Sequence, residues 1–231
     1  MVGILFGLFG VGGSSFATPI LALLGVPPLL AVASPLPATL PSAISGAINY
    51  IRKGDMDWRV AWLSVAGGLP GTVLGAVLSR FVTGQALLVA SGITLAIVGL
   101  RVLRPVSDKS HAVDDRRNHG WMVVAAAGGV GVFTGLLANG GGFLLVPLYL
   151  LILGLPMRTS AGTSLVVIAV LTVPTFLSHL ALGNIDWRVA VAFAAGSIPA
   201  AFVGARMAQH VSNDRLRVAF GGLLVAFAAY F

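Results

Sequence analysis

Long apolar runs alternate along the chain with brief polar interruptions. The runs cover Ala31–Tyr50, Val60–Ser79, Gln85–Leu100, Trp121–Ala138, Thr163–Leu182, Val189–Val203 and Val218–Phe231. Most approach the roughly 20 residues that a helix needs to cross about 30 Å of hydrocarbon. The pattern predicts an all-α polytopic membrane protein, not an anchored soluble domain. Gly and Pro inside the runs are compatible with this, because neighbouring helices satisfy the backbone groups they free. The opening MVGILFGLFG has no basic n-region and no small-residue cleavage site, so a removable signal peptide is not expected.

Composition strengthens this picture. Of 231 residues, 57% are hydrophobic and 9% charged, and the mean hydropathy is +0.98, so polar groups are too few to cover the chain in water. A multi-pass place in the inner (plasma) membrane is expected. The formal net charge of +7 is read as loop basicity beside anionic lipid and not as a nucleic-acid surface. Cysteine is absent, which excludes disulfide and thiol chemistry. Glutamate is also absent, and Asp55, Asp57, Asp108, Asp114, Asp115, Asp186 and Asp214 all fall in or beside predicted loops. No carboxylate is therefore expected deep in the membrane. The chain has no Gly-x-Ser-x-Gly, no paired intramembrane Asp, no His-Glu-x-x-His and no metal-ligand cluster. Neither an intramembrane enzyme nor a bound cofactor or metal is expected.

The polar interruptions repeat. Asp-Trp-Arg-Val-Ala stands at Asp57–Ala61 and again at Asp186–Ala190, 129 positions on. The pentapeptide belongs to a longer match, in which GVGGSSFATP (Gly10–Pro19) aligns with ANGGGFLLVP (Ala138–Pro147) at an offset of 128. That offset superposes Gly12, Gly13, Pro19 and Pro28 on Gly140, Gly141, Pro147 and Pro156. One residue inserted before Gly54 makes it 129, pairing Gly67 with Gly196, Pro70 with Pro199 and Gly75 with Gly204. In this register Pro35 stands opposite Thr163 and Leu36 opposite Ser164. The chain divides into a first repeat (1–100), a polar basic linker (101–120) and a second repeat (121–231). Within the repeated signal, Trp suits the headgroup level, Arg reaches lipid phosphate, and Asp57 and Asp186 are expected to be N-caps.

Each half opens with a problem of length. Trp121–Leu155 as one helix would overshoot the hydrocarbon by roughly 20 Å, and Asn139-Gly140-Gly141-Gly142 lies inside it. Serial glycines form helix poorly and Asn caps a new one, so a break or hairpin is expected there. Charge favours it. With four straight crossings per half, the 14 Lys and Arg divide weakly between the two faces. With a broken hairpin opening each half, only Arg80 and Arg188 fall opposite the rest, the asymmetry that the positive-inside rule expects. The expectation is two inverted-topology repeats, each a broken helix or hairpin at a Gly-rich motif followed by three transmembrane helices. The linker then faces the cytoplasm and both termini face outward.

Two interrupted helices meeting near the midplane would aim unpaired N–H groups and positive dipole ends into a shared cavity, as in transporters built on inverted repeats. The candidate anion-binding residues are Gly12, Gly13, Ser14 and Ser15 from one half and Asn139, Gly140, Gly141 and Gly142 from the other. Thr163, Ser164 and Ser34 are candidate hydroxyl donors. The competing reading of the glycines is close helix packing, and of the hydroxyls, bonding to their own preceding turn. His179 is the sole His within an apolar span and a candidate proton carrier. Pro70, Pro174 and Pro199 read as kinks.

The Gly-Gly pattern followed by apolar residues and Pro, once per half (GVGGSSFATPIL, which reads Gly-x-Gly-Gly, and NGGGFLLVPLYL), with SAGTSL and the Gly-Asn-x-Asp-Trp-Arg loop, resembles the TauE/SafE sulfite-exporter family, also called toluene-sulfonate uptake permeases. The resemblance covers nearly the whole chain. It implies a small secondary transporter for sulfur-containing oxyanions such as sulfite, sulfoacetate or aryl sulfonates, with an anion channel or a carrier of a non-sulfur organic anion as alternatives. The partners expected are a small anionic substrate and the lipid bilayer, with a homodimer possible. The first half departs from the family pattern: it reads ASPLPATL where the second reads AGTSLVV, and Ser14 replaces the third Gly.

Overall fold

A computed structural model describes residues 2–12, 17, 21, 25–26, 30, 33–78, 84–103, 120–136, 142–181, 183 and 185–228. Among them the chain forms nine helices and no strand: α1 (Val2–Phe9), α2 (Leu36–Lys53), α3 (Trp58–Leu78), α4 (Gly84–Leu103), α5 (Gly120–Leu136), α6 (Gly142–Leu151), α7 (Met157–Ala181), α8 (Trp187–Ala208) and α9 (Asn213–Ala228). The 25 residues of α7 and 22 of α8 reach roughly 37 and 33 Å, enough to cross the hydrocarbon. Met157–Leu177 and Trp187–Ala208 combine such length with high mean hydropathy. By contrast, α1 and α6 have 8 and 10 residues and reach only about half that depth. The Trp121–Leu155 run is thus two helices, α5 and α6, as its length required.

Local chemistry sets the helix ends. Pro37 sits in the first turn of α2, where its missing N–H costs nothing. The same helix stops at Gly54 in the left-handed region (φ 73°), whose N–H reaches the Ile51 carbonyl, and Arg52 and Lys53 complement the dipole of its last turn. Asp57 and Asp186 cap α3 and α8: Val60 N–H donates to Asp57 Oδ1 at 3.1 Å, and Arg188 N–H to Asp186 Oδ1 at 2.9 Å. The prolines at 70, 174 and 199 lie inside continuous helices.

Small residues decide the packing. Gly3 and Gly7 of α1 lie against Ser197 and Ala201 of α8, and Gly204 of α8 against the Ile4 carbonyl, so these two helices run parallel with backbones nearly touching. The contact of α3 with α5 is built alike, Gly67 against Val124, Gly75 against the Val132 carbonyl and Gly131 against Gly68. A third pairing sets α2 parallel to α8, through Ser42 to Ser197 (2.9 Å) and Asn49 to the Phe202 carbonyl (3.1 Å). The antiparallel pairs are α4 with α9, where Gly99 meets Val225 and Gly221 meets Leu103, and α2 with α7, where Gly46 meets Leu165 and Gly162 meets Tyr50. A core including Phe6, Tyr50, Leu145, Tyr149, Leu165, Ile168 and Phe220 joins them.

The outside of the bundle is apolar. Val73, Leu74 and Val77 of α3, Ile93 and Ile97 of α4, and Val191 and Val203 of α8 are all exposed. All four Trp residues are too, from 49% at Trp58 to 69% at Trp121, so they are outward anchors and not core. Such a surface requires a partner less polar than water.

Candidate functional site where the two halves meet

The candidate hydroxyls lie at contacts between the halves. Thr163, fully buried near the start of α7, accepts the Asp57 backbone N–H on Oγ1 at 3.0 Å. Ser34, fully buried ahead of α2, accepts the Asp186 backbone N–H on Oγ at 3.1 Å. In each contact a hydroxyl before or early in one helix holds the capping Asp of a helix from the other half. The two contacts sit at opposite ends of α2 and α7. Both members of each contact are separated from their counterparts by 129 positions, Ser34 from Thr163 and Asp57 from Asp186.

Ser164 forms a different contact. Its Oγ lies 2.7 Å from the Gly10 carbonyl and 2.8 Å from the Ala161 carbonyl. Gly10 has φ 67° and its N–H closes the last turn of α1 on the Phe6 carbonyl at 2.9 Å. Ser164 of the second half is thereby joined to the backbone two residues before Gly12, which is itself buried. Gly142 is the first residue of α6, as the expected restart requires. Gly13, Ser14, Ser15, Asn139, Gly140 and Gly141 lie outside the described residues, as does the side chain of His179, whose backbone is in the last turn of α7.

Four features were not visible in the sequence. Asp57, in the loop just ahead of α3, is only 7% exposed, a burial that its place beside a loop did not announce. It is buried because α7 closes over the start of α3 through a contact 106 positions away. Arg158 donates from Nε to the Ala208 carbonyl (3.2 Å) and from Nη2 to the Val211 carbonyl (2.6 Å), satisfying the end of α8. Thr172, and the adjacent pair Tyr149 and Ser64, carry buried hydroxyls that meet no other polar group of the fold; inside apolar runs Ser64 and Thr172 look like any self-bonded Ser or Thr. A cavity of about 150 Å³ also opens between the ends of α4 and α6 and the starts of α7 and α9, with Val102, Leu150, Met157, Asn213, Asp214 and Arg217 among its lining.

Span-length helices packed through glycines, with an apolar exterior and polar contacts turned inward, are those of a helical membrane protein. The comparisons with known proteins take this to a family. The family model "Sulfite exporter TauE/SafE" matches residues 1–231, and the chain belongs to that family. It is 30% identical to a "Probable membrane transporter protein" of Xylella fastidiosa (strain 9a5c), covering all of this chain and 90% of the relative. Two further probable membrane transporter proteins, YunE of Bacillus subtilis and one from Methanocaldococcus jannaschii, are each 24% identical, covering 89% and 97% of this chain and 83% and 89% of theirs. No solved structure gives a significant match. The protein is a membrane transporter, not an enzyme, and takes a small-molecule substrate.

Proposed function

We propose that the protein is a secondary carrier of small sulfur-containing oxyanions in the inner membrane, built from two inverted repeats, 1–100 and 121–231, on either side of a cytoplasmic linker, 101–120. The observation that carries this reading is the matched pair of cross-half contacts, Thr163 with Asp57 and Ser34 with Asp186, at opposite ends of α2 and α7. A carrier exposes its site to one side at a time and so needs like closures at both ends, related by the pseudo-two-fold of its repeats. A channel has no such need. The glycine contacts support the same relation. Gly204 against Ile4 and Gly75 against Val132 repeat at the offsets of the sequence match, as do Gly3 against Ser197 and Gly131 against Gly68.

The substrate cradle in this reading is Gly12, Gly13, Ser14 and Ser15 facing Asn139 to Gly142, with Ser164 beside them. Amide groups and hydroxyls hold the anion without a buried cation. Ser34 and Thr163 spend their lone pairs on backbone N–H groups and keep their protons to donate. His179 is the proposed proton carrier.

The test is counterflow in liposomes. Vesicles holding purified protein and preloaded with sulfite, sulfoacetate or an aryl sulfonate should concentrate the labelled solute transiently from outside. Flux that stays linear with concentration and shows no counterflow would identify a channel. Counterflow with neutral or cationic solutes and with none of these anions would overturn the substrate class.

A further inference from the structure

The buried hydroxyls of this protein divide sharply into two groups. Nearly all are bonded within the fold, as Tyr50 is to the Gly7 carbonyl, Ser42 to Ser197 and Thr72 to the Gly68 carbonyl. Among the described residues, the exceptions are Ser64 on α3, Tyr149 on α6 and Thr172 on α7. α7 joins these helices, touching both α3 and α6. The hydroxyls of Tyr149 and Ser64 lie close to one another, and neither meets any other polar group of the fold. They are enclosed by an apolar core that includes Val65, Leu165 and Ile168. A buried polar group left unbonded is costly, so native folds leave one where water or a ligand completes it.

The direction of the missing bonds names the chemistry. A phenol and an alcohol each offer one proton, and an oxyanion has several oxygens to receive both. Charge narrows the choice further, because Tyr149 also lies within the field of the Asp57 carboxylate at the start of α3. A dianion would meet more repulsion there than a monovalent anion. We propose that Tyr149 and Ser64 form a binding station for the transported solute between α3 and α6, donating two hydroxyl protons to a monovalent oxyanion, with Thr172 available on α7. This rests on the oxyanion reading above and extends it from the glycine-rich stretches to the adjoining short helix.

The assignment has a property that a structural role lacks. A hydroxyl with no partner in the fold adds nothing to stability, so its removal should affect binding alone. Purified full-length protein, wild type and the Tyr149→Phe and Ser64→Ala variants, is titrated with methanesulfonate and with sulfate while Tm and Kd are followed. Each variant should keep or raise the ligand-free Tm and weaken methanesulfonate about tenfold. Wild type should bind sulfate at least about tenfold more weakly than methanesulfonate. Unchanged Kd in both variants, or a Tm several degrees lower with Kd unchanged, would overturn the station. Tighter binding of sulfate would overturn its preference for a single charge. Wild-type protein that binds no sulfur oxyanion would remove the parent reading instead. If Tyr149→Phe does not fold, Ser64→Ala and Thr172→Val carry the same comparison.

Discussion

Gly75 and Gly204 lack side chains because a carbonyl oxygen stands where each Cβ would go, Val132 in one case and Ile4 in the other. Their replacement by Ala must push two backbones apart, at about 1–3 kcal/mol each, or several degrees of Tm in a chain of this size. Gly196 and Gly222, also helical, have nothing within 4 Å of that position. Alanine there should leave Tm unchanged or raise it, because Ala is the better helix former by about 1 kcal/mol. Thermal unfolding in detergent of the four single variants checks this, and equal losses at all four would contradict it. Sequence offered no way to sort these glycines, since all four sit in similar apolar surroundings. Asp57 behaves differently: its capping role was legible from Asp-Trp-Arg, its burial was not. Asp57→Asn, an equally good cap, should cost a few tenths of a kcal/mol, whereas Asp57→Ala should cost about 0.5–2 kcal/mol, and unfolding midpoints will separate them.

At the scale of elements, the structure is held by what crosses between helices. Thr163→Val should leave the Asp57 N–H without an acceptor in a nearly closed site, while Ser34→Ala affects an Asp186 that is partly open to solvent. The first should cost about 1–3 kcal/mol and the second less, measured by unfolding of the two variants side by side. Arg158 was one of the charges used to orient the chain, yet its guanidinium is employed as a cap for α8 through two separate nitrogens. Arg158→Lys should not replace it, because an ammonium has no fork with which to reach two carbonyls. Faster hydrogen exchange in the last turn of α8, in both Arg158→Ala and Arg158→Lys, is the expected result. Helix existence was readable from the apolar runs and the caps. Which helix meets which was not, because glycine and alanine pack on many partners equally well.

For the whole molecule, the directions of the helices carry an expectation about sidedness. Gly120 at the start of α5 lies against Leu63 near the start of α3, and Thr163 near the start of α7 holds Asp57 just ahead of α3. The starts of α5 and α7 thus lie near the start of α3, and Arg52, Lys53 and Arg158 belong to that end of the bundle, the cytoplasmic one in the proposed arrangement. Because the chain has no native cysteine, single substitutions report without background. Ser110→Cys in the linker and Ser212→Cys between α8 and α9 should react with an impermeant thiol reagent from the cytoplasmic side. Arg188→Cys at the start of α8 should react from outside. The reverse pattern, or all three reacting from one side, would contradict the inverted arrangement.

The sequence by itself determined that the chain lives in lipid, that its longest apolar run breaks, and that one polar signal starts two helices. Each of these follows from local quantities: hydropathy over a span, the poor helicity of serial glycines, and the short reach of an N-cap. Only the tertiary structure decided which hydroxyls join the halves and which are left with no partner outside their own cluster. That distinction depends on partners more than a hundred residues away, and a side chain's own neighbours in sequence carry no record of them.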